Sequence, residues 1–548
     1  MRIALRTLLA VTVLVASETL AVSETRQERV DALFAKWDRD DFPGCALGVI
    51  EDGRLSYERG YGMANLEHDV PLSSKSVFRT GSVSKQFAAF AMLLAEQQGK
   101  LDLDDDVRKY VPELPEIGEK ITIRHLIHHT SGMRDYLVLM GLRGQRDEDF
   151  YTEDEVVDAL ARQERSNFAP GSEYLYSNSG YFLLSQIILR AAGMGLRDFS
   201  ETNIFAPLKM EHTHFHDDFR RVVKHRAAGY QALDEGGFEI SMTTLNMVGD
   251  GGVYTTIEDL VAWDRNFYTG EVGGEELRAK RVVPGTLDDG TDQDYAAGLG
   301  ISKYRGLRTV SHGGSFVGFR AGMLQFPDQR FSTYVLCNVA SAQPMRLAHA
   351  VSDIYLESDF TEEKDAPIEG ELSVPEAELE KWTGTYWDHS TGGLAEIEIV
   401  EGSLRWKEAE RRFVPLGERR FAAVGATSRS DIRFDADGKS ATMTVHSPGQ
   451  RAFRYERVEP VAPTVGELAR AIGLYRCSEL DVTYRIELDE DERLVLVRPF
   501  DRSLLEAVFQ NGFRWDHGSL VFRRNEQEHI ESFELAAGRA RNFIFERQ

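Results

Sequence analysis

The C-terminal third of this 548-residue chain repeats itself at an interval of about 90 residues. The segment Trp382–Tyr386 (WTGTY) matches Ala471–Tyr475 (AIGLY), and Phe453–Arg457 (FRYER) matches Phe543–Arg547 (FIFER). Both copies consist of short alternating strand patterns separated by turns, and each is long enough for a small closed antiparallel barrel without exposed edges. The sequence therefore predicts two copies of one β-barrel module, over residues 372–460 and 461–548.

The region before the repeat, residues 24–358, has a different pattern, and an acidic, polar stretch with one proline, residues 359–371, separates the two as a linker. Strand patterns stand at both ends of this region and helical patterns lie between them. The sequence therefore predicts an α+β domain, with an antiparallel sheet built from both ends and a helical insertion. The predicted strands cover 45–50, 54–61, 308–312, 317–326 and 332–338, and the helices cover 84–98, 122–129, 153–164, 179–192, 257–267 and 343–357.

Ser82 and Lys85 stand three residues apart, immediately before the apolar stretch 86–95. Residues at that spacing share one face of a helix. Burial removes the hydration that stabilises an ammonium group, so we expect the pKa of Lys85 to fall toward the range in which it accepts the proton of Ser82. A pattern with two fixed residues also occurs by chance in a chain of this length, so the assignment depends on further groups.

A second short motif, Tyr176-Ser177-Asn178, occurs once and follows in the chain. Tyr176 lies between a Pro170-Gly171 turn and an apolar helical pattern, which predicts a loop at a helix start. A phenol beside a lysine can pass the proton of a serine to a leaving group, and the amide of Asn178 can bind a substrate carbonyl or the lysine. The alternative is a loop tyrosine that covers the core, with an asparagine that caps the helix.

A third motif, His312-Gly313-Gly314-Ser315, ends a strand-like run. The two glycines would let a substrate lie against the backbone. A backbone N–H at this place and the N–H of Ser82 could together form an oxyanion hole. A strand edge with a glycine bulge is the competing interpretation.

The three motifs together resemble the signature of the penicillin-binding-protein and serine β-lactamase superfamily. Further segments also look like that family, namely 126–136, 204–210 and 249–256. The resemblance therefore covers residues 30–355. Within the superfamily the chain is similar to the class C β-lactamase, D-alanyl peptidase and D-aminopeptidase branch. The resemblance implies a β-lactamase/DD-peptidase-like catalytic domain.

By that resemblance Ser82 is the nucleophile, Lys85 and Tyr176 form the general base and acid pair, and Asn178 positions the substrate. His312 is the residue of the third motif, and the backbone amides of Ser82 and Ser315, beside Gly314, would form the oxyanion hole. The order of a catalytic domain and two barrels is similar to bacterial D-aminopeptidases, which carry two lipocalin-like barrels. In that family a long loop of the second barrel reaches the active site, whereas the equivalent region here, residues 510–522, has only a short turn at 516–519. D-aminopeptidase specificity therefore stays open.

His312 stands where β-lactamases have a lysine, and histidine is largely neutral near pH 7. The fixed positive charge that meets the carboxylate of a β-lactam is lost, which argues against efficient β-lactamase activity.

The formal net charge of −25 argues against a nucleic-acid partner. It also means that a substrate carboxylate needs a local arginine, for which Arg320 is the candidate, with a surface-paired arginine as the alternative.

Residues 1–23 read as a cleavable secretory signal, with Arg2 and Arg6 before an apolar run and small residues before Glu24. The run is too short to span a bilayer comfortably, so we expect a periplasmic or secreted protein without stable membrane insertion after cleavage. An uncleaved membrane anchor is the alternative.

The three cysteines, Cys45, Cys337 and Cys477, are an odd number scattered along the chain, and we expect Cys45 and Cys337 to be buried thiols rather than a disulfide framework.

Alternating histidines at 212, 214 and 216 would share one strand face, but no neighbouring cysteine or carboxylate cluster completes a metal site. We therefore expect neither a metal nor an organic cofactor.

These observations predict a secreted serine hydrolase that acts through an acyl-enzyme on amide bonds of small peptides containing D-amino acids, of the D-aminopeptidase or D-Ala peptidase type. A carboxylesterase or a weak β-lactamase of the same fold is the enzymatic alternative. A non-catalytic penicillin-binding-like sensor or ligand-binding protein is the alternative from another class. The expected partner is a small peptide, amide or ester, and a homodimer stays open.

Overall fold

The structure is a computed structural model that describes residues 24–146, 149–362, 368, 371–417, 419–424, 430–437 and 440–548. The predicted signal segment and part of the predicted linker lie outside the described residues. Among the helices of the described ranges, none combines the length and the apolar character that crossing a membrane requires.

A six-stranded antiparallel sheet forms the centre of the N-terminal region. Its spatial order is β3-β4-β5-β6-β1-β2, so the N-terminal hairpin pairs with the last strand of the region. This confirms the predicted sheet assembled from both ends. In chain order the strands are β1 Cys45–Glu51, β2 Arg54–Tyr61, β3 Gly300–Tyr304, β4 Leu307–Phe316, β5 Phe319–Phe326 and β6 Phe331–Cys337.

Within the described ranges ten longer helices accompany the sheet, and the six predicted helices agree with six of them to within a few residues. Helix α2 has every residue from 85 to 95 buried, as expected for a helix that is apolar all round. The helices are α1 Arg26–Phe34, α2 Lys85–Gln97, α3 Ile123–Ile127, α4 Tyr136–Leu142, α5 Glu153–Ala161, α6 Asn178–Ala192, α7 Leu196–Ser200, α8 Ile257–Thr269, α9 Gly274–Lys280 and α10 Pro344–Tyr355. Shorter strands are Met63–Asn65, Val70–Pro71, Phe78–Arg79, His214–Phe215, Tyr230–Ala232, Phe238–Ile240 and Val253–Thr255.

Strand β1 separates two cores, because helices cover both faces of the sheet. Cys45, Leu47 and Val49 join the cluster that contains α1 and α10. Ala46 and Ile50 join the larger cluster that contains α2. Successive residues of a strand point to opposite faces, so a strand buried on both sides is apolar along its buried length, as β1 is from Cys45 to Ile50.

Cys45 and Cys337 correct a sequence prediction. The two residues lie directly opposite each other where β1 pairs with β6, with their Cα atoms 4.0 Å apart, and they form a disulfide. The prediction of two buried thiols was wrong. Their separation of 292 residues hid the pair, because only the assembled sheet brings the two strands together. Cys477 is buried and free.

The C-terminal region forms two antiparallel β units. In the first, eight strands make a closed barrel: β7 Gly384–Asp388, β8 Gly393–Val400, β9 Ser403–Trp406, β10 Arg411–Pro415, β11 Arg420–Ala423, β12 Asp431–Asp437, β13 Ser440–His446 and β14 Phe453–Val458. In the second, nine strands make one sheet: β15 Gly473–Cys477, β16 Val482–Leu488, β17 Leu494–Arg498, β18 Asp501–Leu504, β19 Glu506–Phe509, β20 Gly512–Trp515, β21 Gly518–Arg524, β22 Ile530–Ala537 and β23 Ala540–Arg547. Its edge strands, β18 and β19, are neighbours in the chain, so the second barrel is nearly closed.

Equivalent hydrogen bonds in the two units confirm the repeat. The Tyr386 hydroxyl donates to the carbonyl four residues earlier at 3.1 Å, and the Tyr475 hydroxyl does the same at 2.8 Å. Arg457 and Arg547, which end the two FRYER-like segments, each donate from Nη2 at 2.6 Å to the carbonyl just before the first strand of their own unit.

Both barrels bind the loops between α3 and α6. Glu173, 2% exposed, accepts from Arg451 Nε of the first barrel at 2.8 Å and from Arg541 Nη1 of the second at 2.9 Å. Arg134, fully buried, pairs with Glu479 of the second barrel at 2.7 Å. The core of the second barrel is continuous with that of the N-terminal region, whereas the first barrel has a core of its own.

Candidate active site

Ser82 and Lys85 lie on consecutive turns, because the 3₁₀ turn Gly81–Ser84 leads directly into α2. The turn is held to the strand Val253–Thr255, since the amide of Thr80 donates to Val253 O at 2.9 Å and the amide of Val253 donates to Ser84 Oγ at 3.0 Å. Ser82 is half-buried and Lys85 fully buried.

Lys85 Nζ has three oxygen neighbours: Ser82 Oγ at 3.2 Å, Asn178 Oδ1 at 2.8 Å and the Asp250 carbonyl at 2.6 Å. Burial lowers the pKa of Lys85 to about 7, and the charge of Arg539 also lowers it, while Asp250 and Asp135 oppose the shift. The amine is therefore close to half-neutral near pH 7.

Tyr176 lies with its ring 4.7 Å from Lys85 Nζ and 4.2 Å, centroid to centroid, from the ring of buried His129. Its hydroxyl has no hydrogen-bond partner among the described residues. Burial raises the pKa of Tyr176, while the nearby Ser82 hydroxyl and the charge of Arg539 act in the opposite direction. The phenol is thus free to contact a bound substrate or the Ser82 hydroxyl.

Asn178 is the first residue of α6, and a buried carboxylate fixes it. Asp135 Oδ2 accepts from the amide of Asn178 at 2.8 Å and from its Nδ2 at 3.0 Å. Because Nδ2 is thereby engaged, Oδ1 is turned toward Lys85. Asp135 Oδ1 meanwhile caps the start of α4 by accepting from the amide of Leu137 at 3.0 Å.

His312, on β4, lies behind Tyr176, with ring centroids 6.2 Å apart. Its Nδ1 is 2.6 Å from the Gly313 carbonyl, which can only accept, so Nδ1 carries the hydrogen and Nε2 accepts from Tyr295 Oη at 2.9 Å. Burial and the charge of Lys85 lower the pKa of His312 to about 4. His312 is therefore neutral near pH 7.

Two glycines bring β4 against the turn that carries Ser82. A Cβ on Gly314 would lie 2.0 Å from Thr80 O and 3.2 Å from Ser82 N, and one on Gly81 would lie 2.7 Å from Ser315 N. Gly81 also has φ of +52°, a conformation that suits glycine. The backbones that carry the amides of Ser82 and Ser315 thus approach each other closely.

Arg320 lies directly opposite Ser315 where β4 pairs with β5. Its Nη1 donates to the carbonyls of Val317 and Phe319 at 2.7 and 2.8 Å. Arg320 is not among the residues that line the cavity beside Ser82, and its role as a carboxylate site stays a prediction.

The cavity beside Ser82 has a volume of about 110 Å³ and contains charged residues that sequence analysis did not single out: Arg79, Asp250 and Arg539. Asp250 lies in one of the family-like segments, as Asp135 does, so a signal for these two was present. Arg539 comes from the turn between β22 and β23, more than 350 residues after Tyr176, and no local pattern marks it. The remaining lining residues are Gly81, Ser82, Tyr136, Leu137, Asn178, Leu245, Met247, Gly251, Ser315 and Phe316.

The family model described as Beta-lactamase matches residues 30–355. The chain belongs to this family and is a serine hydrolase, which confirms the resemblance drawn from its motifs. A D-aminopeptidase of Gluconobacter oxydans (strain 621H) is 30% identical over 450 residues, 80% of each chain. Penicillin-binding protein 4* of Bacillus subtilis (strain 168) is 30% identical over 337 residues, 58% of this chain and 73% of that protein.

Solved structures agree on the fold. The octameric penicillin-binding protein homologue from Pyrococcus abyssi matches 79% of this chain and 99% of its own, with a TM-score of 0.55 and 24% identity. The D-amino acid amidase from Ochrobactrum anthropi SV3, complexed with L-phenylalanine, matches 61% of this chain and 98% of its own, with a TM-score of 0.51 and 20% identity. At such identities the likeness concerns the fold alone.

Proposed function

We propose that the protein hydrolyses amide bonds of small D-amino-acid peptides through an acyl-enzyme on Ser82. The observation that carries this proposal is the set of contacts around Lys85. A neutral amine has two N–H donors and one lone pair. Asn178 Oδ1 and the Asp250 carbonyl can only accept, so they take the two donors and leave the lone pair for the proton of Ser82.

The remaining groups complete the reaction. Ser82 Oγ attacks the amide carbon while Lys85 takes its proton, and the amides of Ser82 and Ser315 stabilise the oxyanion. Tyr176, whose hydroxyl has no hydrogen-bond partner among the described residues, delivers a proton to the leaving nitrogen as the C–N bond breaks and regains a proton from the Lys85 ammonium. Water then attacks the acyl-enzyme ester, Lys85 takes a proton from the water and returns it to Ser82 Oγ, and the acid is released. Asn178 orients Lys85, and neutral His312 with Tyr295 supports the ring of Tyr176.

The substrate class rests on the relatives. The D-aminopeptidase at 30% identity aligns over 80% of both chains. A neutral His312 in place of a lysine also disfavours the carboxylate of a β-lactam. We further propose an extracytoplasmic location, because a structural disulfide is rare in the cytosol and residues 1–23 resemble a secretory signal.

A fluorescent phosphonate and a substrate panel test the proposal. Wild-type protein should be labelled covalently, Ser82→Ala should not, and the exposed-site control Ser478→Ala should be labelled as wild type. The panel compares kcat/KM for a D-alanine amide, D-Ala-D-Ala, a p-nitrophenyl ester and a chromogenic cephalosporin, with the L-peptides as stereochemical controls. Absence of labelling would favour a binding protein. If the D- and L-peptides are both inert while the ester is hydrolysed rapidly, the protein is an esterase and not a peptidase.

A further inference from the structure

Arg539 brings the second barrel to the candidate active site. Its turn is fixed from the N-terminal region, because Asn167 Nδ2 donates to Arg539 O at 3.0 Å and Arg541 N donates to Asn167 Oδ1 at 2.8 Å. The guanidinium carbon lies 5.5 Å from the centre of the Tyr176 ring. The side chain, 35% exposed, lines the cavity with Ser82.

The guanidinium of Arg539 has N–H donors that no described residue uses. Asp135 Oδ2 lies 3.3 Å from Nε, and this carboxylate is shared with Asn178. Nη1 and Nη2 have no hydrogen-bond partner among the residues that the structure describes. An arginine whose Nε is held while both terminal nitrogens stay free is well placed for a planar, two-pronged contact with an anion.

Arg79 adds a second positive charge to the same cavity. It is 4% exposed, and its guanidinium carbon lies 5.0 Å from the Phe316 ring. Its Nε has no hydrogen-bond partner among the described residues. Asp250 lines the same cavity and interacts with Arg79 through its charge, but Nε keeps an unused donor that is available to an anionic ligand.

The position of Arg539 beside Tyr176 indicates which part of a substrate carries that anion. In the function proposed above, Tyr176 protonates the leaving nitrogen. The carboxylate of a leaving amino acid is attached to the carbon bonded to that nitrogen, so it lies on the side of the cavity that Arg539 occupies.

We propose that Arg539 binds the free carboxylate of the leaving amino acid and that Arg79 adds positive potential to this subsite. This inference rests on the proposed function and narrows its substrates to peptides with a free C-terminal carboxylate. Hydrolysis of the peptide releases the acyl part as a carboxylic acid and the leaving part as a free amino acid. The nitrogen of that amino acid receives its proton from Tyr176. Arg539 thereby places positive charge beside Tyr176 rather than at the third motif, and the two arginines oppose the net charge of −25.

The test compares a peptide with its own amide. The wild-type ratio of kcat/KM for D-Ala-D-Ala over D-Ala-D-Ala-amide should exceed one. Arg539→Gln should lower that ratio roughly 10- to 100-fold, the usual effect of losing a hydrogen bond to a charged group. Arg539→Lys should restore part of it, because charge is kept while the two-pronged geometry is lost. Arg523→Gln, which changes an exposed side chain of β21 in the same barrel, is the matched control and should leave the ratio unchanged. An unaltered ratio in Arg539→Gln would overturn the inference.

A binding measurement separates this inference from the proposed function. N-acetyl-D-alanine should protect Ser82 from the phosphonate better than N-acetyl-D-alaninamide does, and Arg539→Gln should abolish the difference. If peptides are not cleaved but this difference is observed, the subsite stands and the peptidase proposal fails. If peptides are cleaved while the acid and the amide protect equally in wild type, the subsite is refuted and the peptidase stands.

Discussion

Lys85 makes activity depend on pH in a direction that follows from its surroundings. Only the neutral amine accepts the proton of Ser82, and burial lowers the pKa of Lys85 to about 7. We therefore expect kcat/KM to rise as pH increases through about 7 and to level off above it. Rates of p-nitrophenyl ester hydrolysis across that range measure the rise.

Two variants test whether the titration of Lys85 causes this pH dependence. Lys85→Arg, which stays protonated, should remove both the rise and most of the activity. Arg539→Gln should move the midpoint to higher pH, because the charge of Arg539 contributes to the low pKa of Lys85. A midpoint near pH 4, where His312 titrates, would show that the base is not Lys85.

The contact between β4 and the Ser82 turn depends on residues without side chains. A Cβ at Gly314 would lie 2.0 Å from Thr80 O, so Gly314→Ala must push the strand and the turn apart. We expect kcat to fall at least roughly tenfold, because the two amides of the oxyanion hole are displaced. Steady-state kinetics on the ester measures this effect.

The control for the Gly314→Ala variant is a glycine at which an added Cβ would contact nothing. Gly466, in a short helix at the start of the second barrel, has nothing within 4 Å of its would-be Cβ. Gly466→Ala should leave kcat at the wild-type value and stabilise the protein slightly, since alanine favours a helix. Equal kinetics in the two alanine variants would contradict the role given to the close approach.

The sequence was most informative where function depends on local spacing. Ser82 and Lys85 stand three residues apart, and the apolar pattern of α2 predicts the burial that lowers the lysine pKa. Tyr176 and His312 are recognisable because each occurs in a short motif. Asp135 lies in a family-like segment, but its bond to Asn178 joins residues that are distant in the chain. Arg539 also acts through distant partners, and nothing next to it reveals its role. The same reason explains the unpredicted disulfide, since the pairing of β1 with β6 exists only in the folded sheet.

The second barrel is part of the framework that shapes the site. Its core is continuous with that of the N-terminal region, and Arg134, next to Asp135, donates from Nε to Arg541 O at 2.8 Å and from Nη2 to Asn542 O at 3.0 Å. Movement of this barrel would therefore displace Arg539 and Asp135 together.

Glu479 supplies the charge that makes this docking stable. Glu479→Gln would leave the fully buried guanidinium of Arg134 without its carboxylate, and we expect a loss of about 3 kcal/mol or more. The midpoint of urea unfolding measures the loss. Glu534→Gln breaks an exposed ion pair with Arg523 on the same barrel and should cost less than about 1 kcal/mol. Similar midpoints for the two variants would refute a special contribution of Glu479.

The bridge between Cys45 and Cys337, which are 292 positions apart in the sequence, encloses the stretch that contains Ser82, Lys85, Tyr176 and His312. The turn at residues 234–237 lies within it and is exposed, which makes it accessible to a protease. A single cut there would leave two fragments tied to each other. Such nicked molecules would migrate as intact protein on a gel without reductant and would separate into two bands only after thiol treatment.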